Sequence, residues 1–279
     1  RQESDVVQEV SRESVEFMEG STNVQTYPSV QPFYIPLLLN VRHHALKHPE
    51  VRIAINEALD RAAIIERAMR GRGNIADGPI WPYHWAYPTN PPRYPFVASG
   101  AAARLVRAGF PLTEQKGVGK QRTRLAFKCL VYSEDAQFER IARVVQRQLS
   151  DVGIAMEIEL ADLNTLFGQR APSGDYDALL IRMQAGRGMD YTYRMWRSGA
   201  AEAQVLNSGY TGADELLDKL RGSLSDAETR QAVAALVERF HLDAPAAFIA
   251  WTEVTRAVSS RFDVGNDRGQ DPFFNMWQW

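Results

Sequence analysis

One stretch near the middle of the chain restricts the fold more than any other. Residues 122–132 are predicted to form a strand, which contains the mainly apolar run Leu125–Tyr132. Residues 154–160 alternate between apolar and polar side chains, with apolar residues at 154, 156, 158 and 160. Between them, residues 133–152 carry apolar side chains at helical spacing, with Ser133 as the predicted N-cap and Gly153 as the stop. This order favours a right-handed βαβ unit, and hence an α/β fold with a mixed, mostly parallel sheet flanked by helices.

The remaining segments extend this α/β pattern in both directions. Apolar side chains spaced three, four and seven residues apart predict one long helix over residues 50–70. Residues 71–95 contain six prolines and three glycines, which exclude a helix or a central strand and predict a long ordered loop. Further strands are predicted at 23–30, 31–41, 176–183 and 248–258, and further helices at 11–20, 97–109, 162–170, 213–224 and 226–242.

Size and composition are those of an ordinary globular protein. The 279 residues are 45% hydrophobic and 24% charged, which is enough to bury a core without disulfides or metals. The formal net charge of −2 argues against a bulk basic surface for nucleic acid. No apolar run reaches the roughly 18 residues of a membrane span. The single cysteine, Cys129, lies in the strand-like run and is interpreted as a buried, inert thiol.

Sequence signals for catalysis are weak. Residues 114–121 resemble part of a phosphate loop, but glutamate and glutamine stand where that loop needs glycine and a hydroxyl residue. His43, His44 and His48 form the one histidine cluster, and the last two could share a helix face, as zinc ligands do. Because the glutamate of a metalloprotease is absent from this cluster, a solvated loop and a metal-dependent hydrolase stay open as alternatives.

Two further patterns leave a binding role open. Five aromatic side chains between residues 81 and 94 could form a platform for carbohydrate or peptide, or pack into the core of the protein. Four arginines gather around Asp190, a pattern that suits either an anion site or a solvated surface. These arginines are Arg182, Arg187, Arg194 and Arg197.

Several loosely matching motifs also occur along the chain in a specific order. The most extensive is Val51–Ile65, in which a Val-Arg pair is followed by two alanines, an Asp-Arg pair and two isoleucines. The others are Asn40, the proline-rich segment 71–82, Ala102–Phe110, Asn207–Tyr210 with Asp214, and Ala244-Pro245 with Phe248–Trp251. In this order the motifs resemble the C-terminal half of a bacterial extracellular solute-binding protein of family 5, the peptide, nickel and opine-type receptors of ABC importers.

The resemblance implies a two-lobed cleft protein without catalysis, whose lobes have the periplasmic-binding-protein-like type II fold. Residues 1–255 would form lobe two, with lobe one largely outside this chain, and residues 256–279 would return toward lobe one. The implied partners are a small solute, peptide above all, and the permease subunits, without nucleic acid, cofactor or a membrane span in this chain. The implied location is periplasmic or extracellular, and membrane anchoring through an upstream N-terminal segment stays open.

The resemblance also implies where the solute binds. Residues 182–191 occupy the place of a cleft-facing loop whose aspartate, in peptide receptors, holds the α-ammonium group of the peptide. Asp190 matches that aspartate by position, although it could equally cap a helix. The predicted ligand-binding residues are Arg182, Gln184, Arg187, Asp190 and Tyr191. We expect a solute-binding lobe; a hydrolase using the histidine cluster and a protein-interaction module with an exposed apolar patch are the alternatives.

Overall fold

Helices and strands alternate along the chain in the computed structural model, which describes residues 4–18, 20–114 and 122–264. The first part of the chain forms β1 (Val6–Val7), α1 (Arg12–Met18), β2 (Val24–Leu39), α2 (Pro49–Glu57), α3 (Arg61–Ala68), β3 (Gly73–Ile75), α4 (Ala98–Arg107) and β4 (Thr113–Glu114). The middle part forms β5 (Arg122–Thr123), β6 (Leu125–Tyr132), α5 (Ala136–Asp151), β7 (Ile154–Ala161), a π-helix at Asn164–Arg170, α6 (Ala171–Ser173), β8 (Ala178–Leu180) and β9 (Met183–Gln184). The last part forms α7 (Asp190–Trp196), α8 (Ala201–Leu206), α9 (Asp214–Arg221), α10 (Asp226–Asp243) and β10 (Ala246–Ser259).

One large mixed sheet organises these elements within the described residues. Its strand order is β1-β10-β2-β8-β6-β7, with β3 beside β10 and β9 beside β2. Strand β6 pairs parallel with both β7 and β8, so the predicted βαβ unit of β6, α5 and β7 is confirmed. The other pairs of this sheet are antiparallel. The α/β class and the mixed sheet are thus confirmed. The parallel part is limited to the three strands β8, β6 and β7 at one edge, because β2 is antiparallel to both of its neighbours, β8 and β10.

The two longest strands differ from the prediction in their extent. The predicted strands 23–30 and 31–41 are one continuous strand, β2, which pairs with β10 along most of its length. This pairing shifts register at two places in β10, at residues 248–250 and 251–253. Such irregularities allow a strand to contain prolines, which lack the backbone N–H of a regular ladder.

The predicted helix over residues 50–70 is two helices, α2 and α3. The break occurs at Asp60, whose carboxylate caps α3 by accepting a hydrogen bond of 3.0 Å from the backbone N–H of Ala63. The side chain of Gln148 in α5 accepts from the Asp60 N–H at 3.0 Å and donates to its carbonyl at 3.3 Å. The apolar periodicity continues across the break, so the prediction of a single helix was wrong because the cap and its partner override it.

Smaller differences concern helix starts. Helix α5 begins at Ala136 with Asp135 as its N-cap, rather than at the predicted cap Ser133, because the Asp135 carboxylate accepts from the Gln137 N–H at 2.8 Å. The predicted cap of α10 is confirmed, since the Ser225 hydroxyl accepts from the Glu228 N–H at 3.3 Å. The loop at 71–95 contains the short strand β3 and is otherwise without regular structure.

The core has two parts, one on each face of the sheet. Ile35 and Leu37 point to the face covered by α2, α3, α4 and α5, whereas Tyr34 and Leu38 point to the face covered by α7, α9 and α10. Cys129 is fully buried, and burial raises the pKa of its thiol. The interpretation of Cys129 as a buried thiol is therefore confirmed.

A three-stranded extension projects from one end of the sheet. It consists of β1, the first half of β2 and the last half of β10. In this region β10 pairs with both β1 and β2, whereas β8 and β9 pair only with the second half of β2. The predicted boundary between residues 255 and 256 lies within β10 in this extension, and residues 265–279 lie outside the described residues. The division into a lobe at 1–255 and a return segment at 256–279 stays a prediction. None of the described helices has both the length and the hydropathy that a bilayer crossing requires.

Candidate functional site

The parallel strands define the edge of the sheet at which a ligand site is expected. Strands β6, β7 and β8 run in the same direction, so their carboxyl ends lie together near Tyr132, Ala161 and Leu180. In open α/β sheets, ligands bind outside the carboxyl ends of the strands, where loops rather than helices cover the backbone. The segment with the predicted ligand residues follows β8 directly and therefore starts at this edge.

A polar cavity of about 400 Å³ opens beside the carboxyl end of β6, between the start of α5 and the middle of β2 and β10. We call it the strand-end cavity. Six charged residues contribute to its lining: Glu9, Arg72, Asp135, Arg140, Arg182 and Glu253. They come from five segments of the chain, since Asp135 caps α5 and Arg140 lies within it, so the cavity exists only in the folded protein.

The three arginines of the strand-end cavity are held by neutral groups. Arg72 donates to the carbonyl oxygen of Val10 at 3.2 Å, and Arg140 donates to that of Ala68 at 3.3 Å. The Arg182 guanidinium lies 5.6 Å from the centre of the Phe33 ring. Within the described part of the chain, none of these three arginines forms an ion pair. Each therefore keeps donors for an acidic group of a ligand.

The carboxylates of the cavity complement these arginines. Asp135 caps α5 through the Gln137 N–H, and Glu253 accepts a hydrogen bond of 3.0 Å from the Asn74 side chain. Both carboxylates are only half-buried and keep free lone pairs on the cavity side. A cavity with cationic and anionic groups side by side suits a small zwitterion, with its carboxylate on arginine and its ammonium group on aspartate or glutamate.

Three of the predicted ligand residues are exposed near this edge. Arg182 lines the strand-end cavity, as described above. Gln184 is exposed on β9, where its backbone pairs with Phe33, another lining residue of the cavity. Arg187 is exposed in the loop between β9 and α7.

The structure separates Asp190 from Arg182. Asp190 is the first residue of α7, and its carboxylate lies 3.3 Å from the guanidinium of Arg194. The alternative that Asp190 caps a helix was wrong, because Met189 occupies the cap position and no side chain caps the helix there. Asp190 lines a different cavity from Arg182, so these two predicted residues do not share one site in the described structure.

Tyr191 is buried and its hydroxyl is fully engaged within the protein. The hydroxyl donates to the carbonyl oxygen of Pro79 at 3.0 Å and accepts from the backbone N–H of Trp81 at 2.7 Å. Burial raises the pKa of this hydroxyl well above its ordinary value. Tyr191 thus anchors the proline-rich loop to α7, and a ligand would have to displace that loop to reach it.

Of the six charged residues of the cavity, five were not predicted from the sequence: Glu9, Arg72, Asp135, Arg140 and Glu253. Arg72 and Glu253 stand in segments with no binding motif, and no local signal could have identified them. Asp135 could have been found, because it follows the carboxyl end of the predicted strand 122–132, where polar side chains gather in a parallel sheet.

The histidine cluster does not converge on one point. The His43 and His44 rings lie 4.2 Å apart, whereas the His48 ring packs edge-on against Phe110 at 5.7 Å. The His43 Nε2 atom lies 3.9 Å from Asp177, and burial lowers the pKa of this imidazole. Among the described residues, no group of three potential ligands could hold a metal ion. Most of the phosphate-loop-like segment, residues 115–121, lies outside the described residues.

The part of the proline-rich loop between residues 81 and 94, which we call the aromatic loop, contains both buried and exposed rings. Trp81 is buried and packs edge-on against Trp251, with ring centres 5.0 Å apart. Tyr83 and Trp85 are each 47% exposed. The two interpretations of this loop, core packing and an exposed surface, therefore apply to different residues of it.

Comparisons with known proteins identify relatives of this chain. Residues 1–204 match the sequence model of the bacterial extracellular solute-binding proteins, family 5 middle. The chain is similar to the oligopeptide-binding protein AppA of Bacillus subtilis, with 23% identity over 269 residues, which are 94% of this chain and 49% of AppA. It is also similar to the glutathione-binding protein GsiB of Escherichia coli K12, with 25% identity over 195 residues, which are 68% of this chain and 33% of GsiB.

A solved structure shows the same fold. HbpA2 from Haemophilus parasuis superposes with a TM-score of 0.83 at 18% identity, covering 97% of this chain and 53% of HbpA2. This likeness confirms the predicted fold of a type II periplasmic binding protein lobe. The chain spans about half, or less, of the length of the curated relatives it matches. These curated relatives are named as binding proteins rather than as enzymes.

Proposed function

The chain belongs to the bacterial extracellular solute-binding proteins of family 5, and from this we propose that it is one lobe of the receptor of an ABC importer. The receptor captures a peptide or a similar small solute in a cleft between two lobes and delivers it to the permease subunits. The match of residues 1–204 to the family carries this proposal. The names of relatives that bind oligopeptides and glutathione support a peptide as the solute. The proposed role includes no catalytic step, and the proposed location is periplasmic or extracellular.

In this proposal, the strand-end cavity is the wall of the cleft that this lobe contributes. Arg72, Arg140 and Arg182 would bind the carboxylate of the solute, and Asp135 and Glu253 would bind its ammonium group. The support for this assignment is the mixed charge of the cavity and its position at the carboxyl ends of the parallel strands. Gln184 and Arg187 would form the rim of the same site.

The opposite wall would come from a lobe outside residues 1–279. The share of each relative that the chain covers supports this arrangement. Closure of the two lobes on a solute would then be a shift of population toward a closed state that the solute stabilises. Residues 1–255 would form the lobe, and residues 256–279 would return toward the other lobe along the three-stranded extension.

The experiment that tests the proposed site is a titration of the 279-residue chain with trialanine, followed by NMR of the backbone amides. We expect weak, saturable binding in the millimolar range, with shifts concentrated around the strand-end cavity. Arg182→Gln and Arg140→Gln should each weaken binding about tenfold, because each removes a charge-assisted hydrogen bond.

Arg147→Gln is the matched control. Arg147 lies on α5 like Arg140, but its side chain is 82% exposed and lines neither the strand-end cavity nor the cavity that contains Asp190. This variant should bind trialanine like the unchanged chain. The assignment of the site is wrong if the shifts centre elsewhere or if Arg182→Gln and Arg140→Gln bind trialanine as tightly as the control does.

A further inference from the structure

A second cavity, of about 610 Å³, lies between the aromatic loop and the helices α7, α8 and α9. We call it the helical pocket. The side chains that matter for its chemistry are Trp85, Thr192, Tyr193, Leu217, Leu220 and Arg221. Leu217 and Leu220 belong to the core on the Tyr34 face of the sheet, whereas the strand-end cavity contacts Met69 in the opposite core. The two cavities share no lining residue.

The walls of the helical pocket are held in place by polar contacts. Arg230 donates to the carbonyl oxygen of Trp85 at 2.8 Å, and its guanidinium lies 4.8 Å from the indole centre. On the other side, Arg194 bridges α7 and α8, because it lies 3.3 Å from Asp190 and 3.0 Å from Glu202. A pocket with fixed walls loses little entropy when a ligand binds, which favours affinity.

The lining of the helical pocket is mainly apolar. Leu217 and Leu220 are buried at its base, and Trp85 exposes nearly half of its surface at the side. A volume of several hundred Å³, apolar walls and a few polar groups are the properties of sites for small molecules. An exposed indole that faces such a pocket offers a surface for stacking of a ring.

The charged side chains around the pocket differ in whether they form ion pairs. Asp190 and Glu202 share the positive charge of Arg194. Arg221 instead stacks on the ring of Tyr193, 4.6 Å from its centre, and forms no ion pair within the described part of the chain. A stacked guanidinium is fixed in orientation but keeps its N–H donors, so it can bind a carboxylate with two parallel hydrogen bonds.

We propose that the helical pocket binds a small amphipathic organic acid. Its carboxylate pairs with Arg221, and its apolar body packs against Trp85, Leu217 and Leu220. This site goes beyond the proposed cleft for a peptide-like solute, because it lies on the other face of the sheet and requires a single negative charge rather than a zwitterion. It is complete within this chain and needs no second lobe.

The test compares two probes of equal size by calorimetry on the full chain. 4-Phenylbutyrate carries the proposed charge, and 4-phenylbutyramide replaces its carboxylate with a neutral amide. We expect the acid to bind at least about tenfold more tightly than the amide. In Arg221→Gln this preference should disappear, while in the control Arg147→Gln it should persist. Trp85→Ala should weaken the binding of both probes, because it removes the stacking surface.

Two outcomes would overturn the proposal. One is that the unchanged chain binds the acid and the amide with equal affinity, or binds neither probe saturably at millimolar concentration. The other is phenylbutyrate binding that Arg221→Gln and Trp85→Ala leave unchanged. Arg182→Gln and Arg140→Gln should not alter phenylbutyrate binding, so a failure of the proposed cleft and a failure of the helical pocket are distinguishable.

Discussion

At the scale of single residues, Asn40 illustrates how a motif of the family can have a structural role. Its side chain is buried at the end of β2, where the amide nitrogen donates to the carbonyl oxygens of Gly174 and Tyr176 at 3.2 and 2.8 Å. The amide oxygen accepts from the backbone N–H and from the Nε atom of Arg42, at 3.1 and 3.2 Å. Asn40 thus links the segment after β2 to the turn that precedes β8.

We predict that Asn40→Asp lowers the free energy of unfolding by about 2–4 kcal/mol, because a carboxylate oxygen would face two carbonyl oxygens without a donor. Urea denaturation measures this change. Asn90→Asp is the matched control, since Asn90 is exposed in the proline-rich loop, and it should change stability by less than about 0.5 kcal/mol. Equal losses in the two variants would contradict the role of Asn40.

At the scale of elements, α2 shows how one helix face is committed to the core. Ala54, Ile55 and Ala58 are fully buried against the sheet, as the apolar spacing predicts. The polar positions of the helix have polar partners: Arg52 donates to the carbonyl oxygen of Leu46 at 2.8 Å, and Glu57 pairs with Arg104 at 2.8 Å. The small side chains at positions 54 and 58 let the helix approach the sheet closely.

We predict that Ala58→Glu lowers the free energy of unfolding by about 3 kcal/mol or more, because it places a carboxylate without a partner in the core. A melting curve followed by circular dichroism measures the effect. The matched control is Ala62→Glu, because Ala62 is exposed on the neighbouring helix α3. A melting temperature that Ala58→Glu leaves unchanged would show that α2 does not face the sheet in this way.

At the scale of the whole molecule, the strand-end cavity has only one wall within the described residues, and its charged side chains face an open side. A cleft between two lobes buries most of its ligand only when both walls are present. With one wall, about half of the contacts remain, while the entropy of association is lost in full. The proposed function therefore requires that the isolated chain binds its solute weakly.

We predict that trialanine binds this chain about a thousandfold more weakly than a longer form of the protein that includes a second lobe, because a loss of about 4 kcal/mol has that effect. Calorimetry of the two proteins with the same peptide measures the difference. Equally tight binding by both would show that the site lies within a single lobe, and that the cleft is not the binding site.

The sequence by itself determined the elements and their class. Period-two and period-3.6 patterns predicted the βαβ unit at residues 122–160, and the Ser225 cap predicted the start of α10, because these signals act between near neighbours in the chain. At Asp60, where the prediction of one long helix was wrong, a contact from a distant residue supports the break. The side chain of Gln148 bonds both backbone groups of Asp60 and stabilises the break between α2 and α3.

Only the tertiary structure decided which residues share a site. Arg72, Arg140 and Arg182 come from segments far apart in the chain, and they meet because β2 lies between β10 and β8 in the sheet. The same fold directs Asp190 into the helical pocket, although it is close in sequence to Arg182. Strand order and register set these distances, and they result from the packing of the whole sheet, which no local pattern of residues specifies.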